Sequence, residues 1–261
     1  MYDKNEVKAK KRLGQHFLTD EQIARRIVDS LSVDTKTIIE IGPGMGVLTK
    51  HLINLPDKEI HLIEIDGESV AYLQKHYPTL GNNLHALDFL KMDLHKISSN
   101  TFALIGNFPY NISNQILFKV LDYKDYIVEV VGMFQKEVAQ RIASKPGKKD
   151  YGILSVLLQA FYDIEYLFTV DASVFNPSPK VQSAVIRLRR NTCIALACDE
   201  ILFKKVVKTS FNQRRKTLRN SLKSLPFSED FRKENIFDKR PEQLSVDEFV
   251  FLTNHLTESK D

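Results

Sequence analysis

Four short apolar runs, at 37–41, 59–65, 84–87 and 101–105, set the terms on which this chain can fold. Each reads as a buried strand, and helical spacing or turn residues separate it from the next. Such βαβαβαβ alternation calls for a parallel sheet with helices on both faces. Open sheets of that kind bind ligands beyond the carboxyl ends of their strands. The residues that follow each run are therefore the first candidates for function.

The first run ends at Glu40-Ile41 and opens onto Gly42-Pro43-Gly44-Met45-Gly46, with a helix predicted to about Leu55. Glycines let backbone approach a ligand where a Cβ would collide with it. The dinucleotide fingerprint needs glycine at 47, which is Val47, and no Lys-Ser/Thr pair closes the loop as in a P-loop. Glu40 reads as an anionic neighbour, awkward for a pyrophosphate and welcome to a cationic ligand. The second run ends at Glu64-Ile65-Asp66. Glu64 lies 22 residues after Gly42, the spacing at which a carboxylate holds ribose hydroxyls. After the third run, Asp88 can accept from an adenine amino group with Phe89 or a neighbour against the ring, or either acid can cap a helix. The fourth opens onto Gly106-Asn107-Phe108-Pro109-Tyr110-Asn111. The Asn107 side-chain oxygen and the Pro109 carbonyl suit the two N–H groups of an exocyclic amine, and Tyr110 offers a ring to stack on a base. The alternative is a proline turn after a strand.

Around this frame, residues 1–12 carry Lys4, Lys8, Lys10, Lys11 and Arg12 against Asp3 and Glu6, a basic arm or an ordinary solvated terminus. Leu13-Gly14-Gln15-His16-Phe17-Leu18 reads as a segment tied down on the core. A helix capped by Thr19 or Asp20 then runs to about Leu31. Past residue 105 come a helix at 113–120, a strand at 127–134, helices at 135–144 and 151–161, and strands at 162–170 and 183–189. Phe175 opens a loop stiffened by Pro177 and Pro179. It is either a core residue or the second face of a base sandwich opposite Tyr110.

Beyond Arg190 the character changes to helical, at 195–225 and, within Arg240 to Leu256, in a final helix capped near Ser245, and a domain boundary is placed between 190 and 191. Between Lys204 and Lys223 stand eight basic residues, among them Arg214, Arg215, Lys216 and Arg219, and no acidic one. That exceeds what a solvated helix face needs and points to nucleic acid. The 261 residues carry a net charge of only +4, so the distribution of charge tells more than its sum. Two cysteines make neither a disulfide framework nor a zinc site, and no apolar run approaches the ~18 residues of a membrane span. The polar N-terminus shows no secretory signal, and a soluble cytoplasmic protein without metal is expected.

Taken in order, Gly14-Gln15-His16-Phe17-Leu18, Glu40-Ile41-Gly42-Pro43-Gly44, Glu64-Ile65-Asp66, Asp88, Gly106-Asn107-Phe108-Pro109-Tyr110-Asn111, Gln135-Lys136-Glu137-Val138 and Pro177-Ser178-Pro179-Lys180-Val181-Gln182-Ser183 resemble the small-subunit ribosomal RNA adenine dimethyltransferases. The match spans about residues 10–256. The resemblance implies a Rossmann-like class I methyltransferase, α/β, with a mostly parallel seven-stranded sheet and a small all-α C-terminal domain. It implies S-adenosylmethionine as cofactor and N6,N6-dimethylation of two adjacent adenosines near the 3′ end of 16S rRNA in the small ribosomal subunit, by a monomer. Carried over by motif, His16, Leu18, Gly42, Glu64, Asp88 and Asn107 line the cofactor site. Asn107, Pro109, Tyr110 and Phe175 hold the target adenine. Lys10, Lys11, Arg12, Arg214, Arg215, Lys216 and Arg219 contact RNA. The turn carries Phe108 where leucine is usual, and the pocket must also admit an amine that already bears a methyl. The nearest rival is a macrolide-resistance 23S rRNA methyltransferase, and a rival of another class is a ribosome-assembly or transcription factor without catalysis.

Overall fold

The computed structural model describes residues 7–32 and 34–257, so Asp3, Lys4 and Glu6 of the basic arm lie outside the described residues. By contacts the chain divides into two compact units, Met1–Ala139 with Ile164–Arg190, and Gln140–Asp163 with Asn191–Asp261. One division between the units follows Arg190. Residues 140–163, however, group with the C-terminal unit rather than with the sheet.

The elements run β1 (Phe17–Leu18), α1 (Glu21–Val28), β2 (Thr37–Ile41), α2 (Thr49–Leu52), β3 (Glu59–Ile63), α3 (Gly67–His76), β4 (Leu84–His85), β5 (Phe102–Asn107), α4 (Ser113–Asp122), β6 (Ile127–Gln135), α5 (Lys136–Ala143), α6 (Ile153–Gln159), β7 (Tyr162–Val170), β8 (Phe175–Asn176), β9 (Ser183–Arg190), α7 (Glu200–Asn212), α8 (Leu218–Ser221) and α9 (Val246–Asn254). Asp20 caps α1 by accepting the Ile23 N–H at 3.0 Å, and α1 buries Ala24, Ile27 and Val28. The helix after the glycine loop is shorter than predicted. Gly44 and Gly46 hold φ of 57° and 79°, so the chain turns through residues 44–48 before α2 can start.

The main sheet has seven strands in the order β4-β3-β2-β5-β6-β9-β7. β4 through β6 run parallel, and β9 is antiparallel to β6. All five residues of β2 are buried, as a strand covered on both faces requires. Ile41 pairs with Ile63, Ile63 with His85, and Glu40 with Ile105. This register brings the carboxyl ends of four strands level, and with them Gly42, Glu64, Asp88 and Asn107. The two-stranded β1–β8 ribbon pairs Leu18 with Phe175 and closes over the same hydrophobic cluster as α1.

In the second unit α6 packs against α7 and α9. The predicted helix at 195–225 is broken in two. Gln213 leaves the helical region at φ −121° and ψ 55°, and Thr217 is extended, so Arg214, Arg215 and Lys216 lie on the connection between α7 and α8. α9 starts from Ser245, whose Oγ accepts the Glu248 N–H at 3.2 Å while Glu248 Oε2 accepts the Ser245 N–H at 2.9 Å.

Candidate cofactor and base site

A cleft lies beyond the aligned strand ends, lined by His16, Gly42, Glu64, Asp88, Asn107 and Pro109 to Ile112, among others. Five of the six expected cofactor residues thus meet in one place. Glu64 is held before any ligand arrives. Its Oε2 accepts the Gly44 N–H at 3.0 Å, and its Oε1 accepts the Ile65 and Asp66 N–H groups at 2.9 and 2.8 Å. Burial pushes its pKa up, and the three backbone donors pull the other way. Oε2, which accepts only the Gly44 N–H, keeps a lone pair that suits a neutral hydroxyl donor of a ribose. Gly44 has to be glycine: its φ is positive, and a Cβ would stand 2.9 Å from the Phe17 ring in the cleft wall.

Asp88 Oδ1 accepts the Leu90 N–H at 2.9 Å, which fixes the carboxylate at the head of a turn. Between Glu64 and Asp88 the cleft is lined by Ile65 and Leu87, each more than half exposed. An apolar side chain next to each acid was the available sequence signal for these two walls. Exposed apolar groups flanking a carboxylate pair suit a planar ring with a polar edge.

At the far side, Asn107 Nδ2 donates to the His16 carbonyl at 2.8 Å. That bond spends a donor and fixes the amide, leaving Oδ1 as an acceptor. The Pro109 carbonyl accepts the Ile112 N–H at 3.2 Å and retains its second lone pair. Tyr110 is fixed by a hydrogen bond between its hydroxyl and Ser183 Oγ. The His16 ring stacks on Tyr110 at 5.4 Å and 29°, while its Nδ1 donates to the Pro177 carbonyl at 2.7 Å. His16 therefore ties the N-terminal segment to both the Asn107 turn and the proline loop.

Several expectations need correction. Phe175 is 5% exposed and packs in the core with Leu18, so its ring is not presented opposite Tyr110; as a large apolar side chain on a short strand it gains more from burial. Leu18, 4% exposed, lines no part of the first cleft. It borders a second cavity that shares Phe17, Gly42 and Asn107 with the first. Glu40 does not stand as an exposed anionic neighbour of the loop. It is 1% exposed, burial raises its pKa to about 8, and its Oε2 accepts the Thr49 hydroxyl at 2.6 Å.

Phe108 is among the residues lining the cleft, yet its ring is buried. The ring is 1% exposed and meets Phe134 edge to face at 5.1 Å. It fits because residues 106 and 132 are glycines, where a Cβ would come within 2.7 and 2.3 Å of it.

The basic residues divide into two groups. Lys10 Nζ is paired with Asp66 and Glu68, and Gln15 Nε2 donates to Asp66, so the Lys10 charge is met by carboxylates within the fold. Arg219 is likewise engaged, donating to Asp238 Oδ1 at 2.7 Å and to the Arg232 carbonyl at 2.6 Å. In both cases a carboxylate distant in sequence satisfies the charge. Lys11, Arg12, Arg215 and Lys216 are exposed, and Arg214 is half-buried. Among the described residues no group of His, Cys, Asp or Glu could hold a metal ion, and no helix is long and apolar enough to cross a membrane.

Residues 6–257 match the family model described as ribosomal RNA adenine dimethylase. A Cytophaga hutchinsonii protein named ribosomal RNA small subunit methyltransferase A is 60% identical over 253 residues, covering 96% of this chain and 98% of the relative. A Flavobacterium johnsoniae protein of the same name is 58% identical, with 96% of each covered. Among solved structures, a dimethyladenosine transferase from Plasmodium falciparum superposes with a TM-score of 0.77 at 24% identity, covering 91% of this chain and 96% of that one. The 23S rRNA methyltransferase ErmE gives 0.68 at 24% identity, covering 91% and 99%. Both carry the same Rossmann-like fold. The chain belongs to the ribosomal RNA adenine dimethylase family, and with it to the S-adenosylmethionine-dependent adenine methyltransferases.

Proposed function

We propose that this chain dimethylates N6 of two adjacent adenosines in a hairpin near the 3′ end of 16S rRNA within the small ribosomal subunit. In this reading it works as a cytoplasmic monomer, and the modification serves small-subunit biogenesis. The observation that carries the chemistry is the Asn107 amide, whose Nδ2 is spent on the His16 carbonyl and whose Oδ1 remains to accept. The choice of small-subunit RNA rests on the names of the relatives near 60% identity.

Glu64 and Asp88 take the ribose and adenine ends of the cofactor, with Ile65 and Leu87 against the ring. Bound there, S-adenosylmethionine supplies a methyl group activated by its sulfonium. Asn107 Oδ1 and the free lone pair of the Pro109 carbonyl accept the two N–H groups of the target amine. They turn its lone pair, otherwise delocalised into the purine, toward the methyl. Orientation of this kind is worth roughly 7–11 kcal/mol in favourable cases. Tyr110, held by Ser183, stacks on the extruded base for about 1–3 kcal/mol. The amine nitrogen grows acidic as its new bond forms, so no strong base is required. After one methyl a single N–H remains and one acceptor is given up.

The test is methyl transfer from labelled S-adenosylmethionine to small subunits lacking the 3′-end dimethyladenosines, beside 23S rRNA and DNA, with nucleoside analysis. Dimethyladenosine in small-subunit RNA alone is expected. Label in 23S rRNA would move the chain to the resistance class. No label with tight subunit binding would leave an assembly factor.

A further inference from the structure

Lys119 is 8% exposed, an unusual setting for an ammonium. It lies on α4, the helix that begins directly after the Asn107 turn. Its Nζ donates to the Phe89 carbonyl at 2.5 Å and to the Met92 carbonyl, and sits 4.9 Å from the centroid of the Phe89 ring. Burial lowers its pKa, and the charges of Asp88, Asp93 and Asp122 oppose that shift. Those two carbonyls belong to the turn headed by Asp88. Inside it the Asp88 carboxylate accepts the Leu90 N–H, and the Asp88 carbonyl accepts the Lys91 and Met92 N–H groups at 3.0 Å each. The turn thus meets the Leu90, Lys91 and Met92 N–H groups from Asp88 itself, while the Phe89 and Met92 carbonyls take their donor from outside it. One buried ammonium supplies both bonds, and it comes from the element that also carries the base-gripping turn.

We infer that Lys119 is a positioning residue for the adenine end of the cofactor site: it ties the Asp88–Met92 turn to α4 and so holds Asp88 and Phe89 in register with Asn107. This rests on the proposed reading that Asp88 lies in the cofactor site. A carbonyl pair bound by water would let the turn drift from the strand ends. A lysine reaching across from α4 makes the distance between the nucleoside end of the donor and the methyl-accepting end a property of the fold.

The experiment measures S-adenosylhomocysteine affinity by calorimetry, with kcat and KM for S-adenosylmethionine and for small subunits, in wild type, Lys119→Met, Lys119→Gln and Asp88→Asn. Lys119→Met removes both charge-assisted bonds at nearly constant volume and is expected to weaken S-adenosylhomocysteine about tenfold. KM for S-adenosylmethionine should rise in step, with kcat at saturation and KM for RNA unmoved. Lys119→Gln retains a donor, should recover part of the loss, and serves as the reporter if Lys119→Met does not fold. In the Lys119→Met, Asp88→Asn double variant the losses should fall short of additive, because both act through one turn. If Asp88→Asn weakens the ligand while a folded Lys119 variant does not, the inference is overturned and the reading of the site stands. If Asp88→Asn changes nothing, the reading of the site fails and the inference with it. A loss spread evenly over cofactor affinity, RNA affinity and kcat would mark Lys119 as a general structural residue and also overturn the inference.

Discussion

The cleft at the strand ends and the basic connection between α7 and α8 treat their polar groups in opposite ways. In the cleft nearly every functional side chain already has a partner: Glu64 on three backbone N–H groups, Asp88 on Leu90, Asn107 on His16, Tyr110 on Ser183. At the connection, Arg215 and Lys216 project into solvent from residues that belong to no helix. The difference follows from what each region must do. Methyl transfer needs atoms held to fractions of an ångström, so the orienting bonds are made during folding. Phosphate contact needs charge at roughly the right place, and flexible cations supply it.

The largest expected effect is at the orienting amide. Asn107→Ala should reduce single-turnover transfer roughly 10³-fold, in line with the loss of a preorganised polar group, while leaving RNA affinity within a few-fold. Transfer within a few-fold of wild type would erase the contrast between the two regions. Next is Phe175, which the structure places in the core beside Leu18. Phe175→Ala should cost about 3 kcal/mol or more in urea unfolding, as a buried aromatic deletion does. Unchanged stability with a raised KM for RNA would return Phe175 to the base.

Glu40 tests the frame beneath the cleft. Its folded pKa, raised to about 8, lies above the ordinary carboxylate value, so the native state holds a proton that the unfolded state releases. Its contribution to stability is whole below about pH 4.5 and is lost as pH rises through 8, with a slope of up to about 1.4 kcal/mol per pH unit. Glu40→Gln should remove that slope, as read from thermal melts between pH 5 and 9, and identical pH profiles would contradict it. Smallest is the surface. Arg215→Ala with Lys216→Ala should weaken RNA binding uniformly, with the slope of log Kd against log salt shallower by about 1.4–1.8. An unchanged slope would remove these residues from the RNA contact.

Much of the cleft was legible from the chain, because strand ends, a glycine loop and acids at fixed spacing are local patterns that a parallel sheet converts into one place. What could not be read was who satisfies whom. Lys10 and Arg219 look like free cations in a basic run, yet each meets a carboxylate tens of residues away in sequence or on a separate short helix. Phe108 looks like an obstruction until Gly106 and Gly132, from two strands, are seen to make room for its ring. Glu40 looks like an exposed anionic neighbour of the loop until burial is known. Lys119 gave no signal, since a lysine on an amphipathic helix reads as solvated. The single predicted helix at 195–225 failed for a related reason: periodicity continues across 213–217 although the backbone does not.

The most direct test of the account is the structure of this chain with S-adenosylhomocysteine and adenosine monophosphate bound together. The expected result is adenine N6 within about 3 Å of both Asn107 Oδ1 and the Pro109 carbonyl, with Asn107 Nδ2 still on the His16 carbonyl. An amine gripped by other groups, or an Asn107 amide turned so that its nitrogen meets the base, would contradict the claim that the fold orients this acceptor in advance.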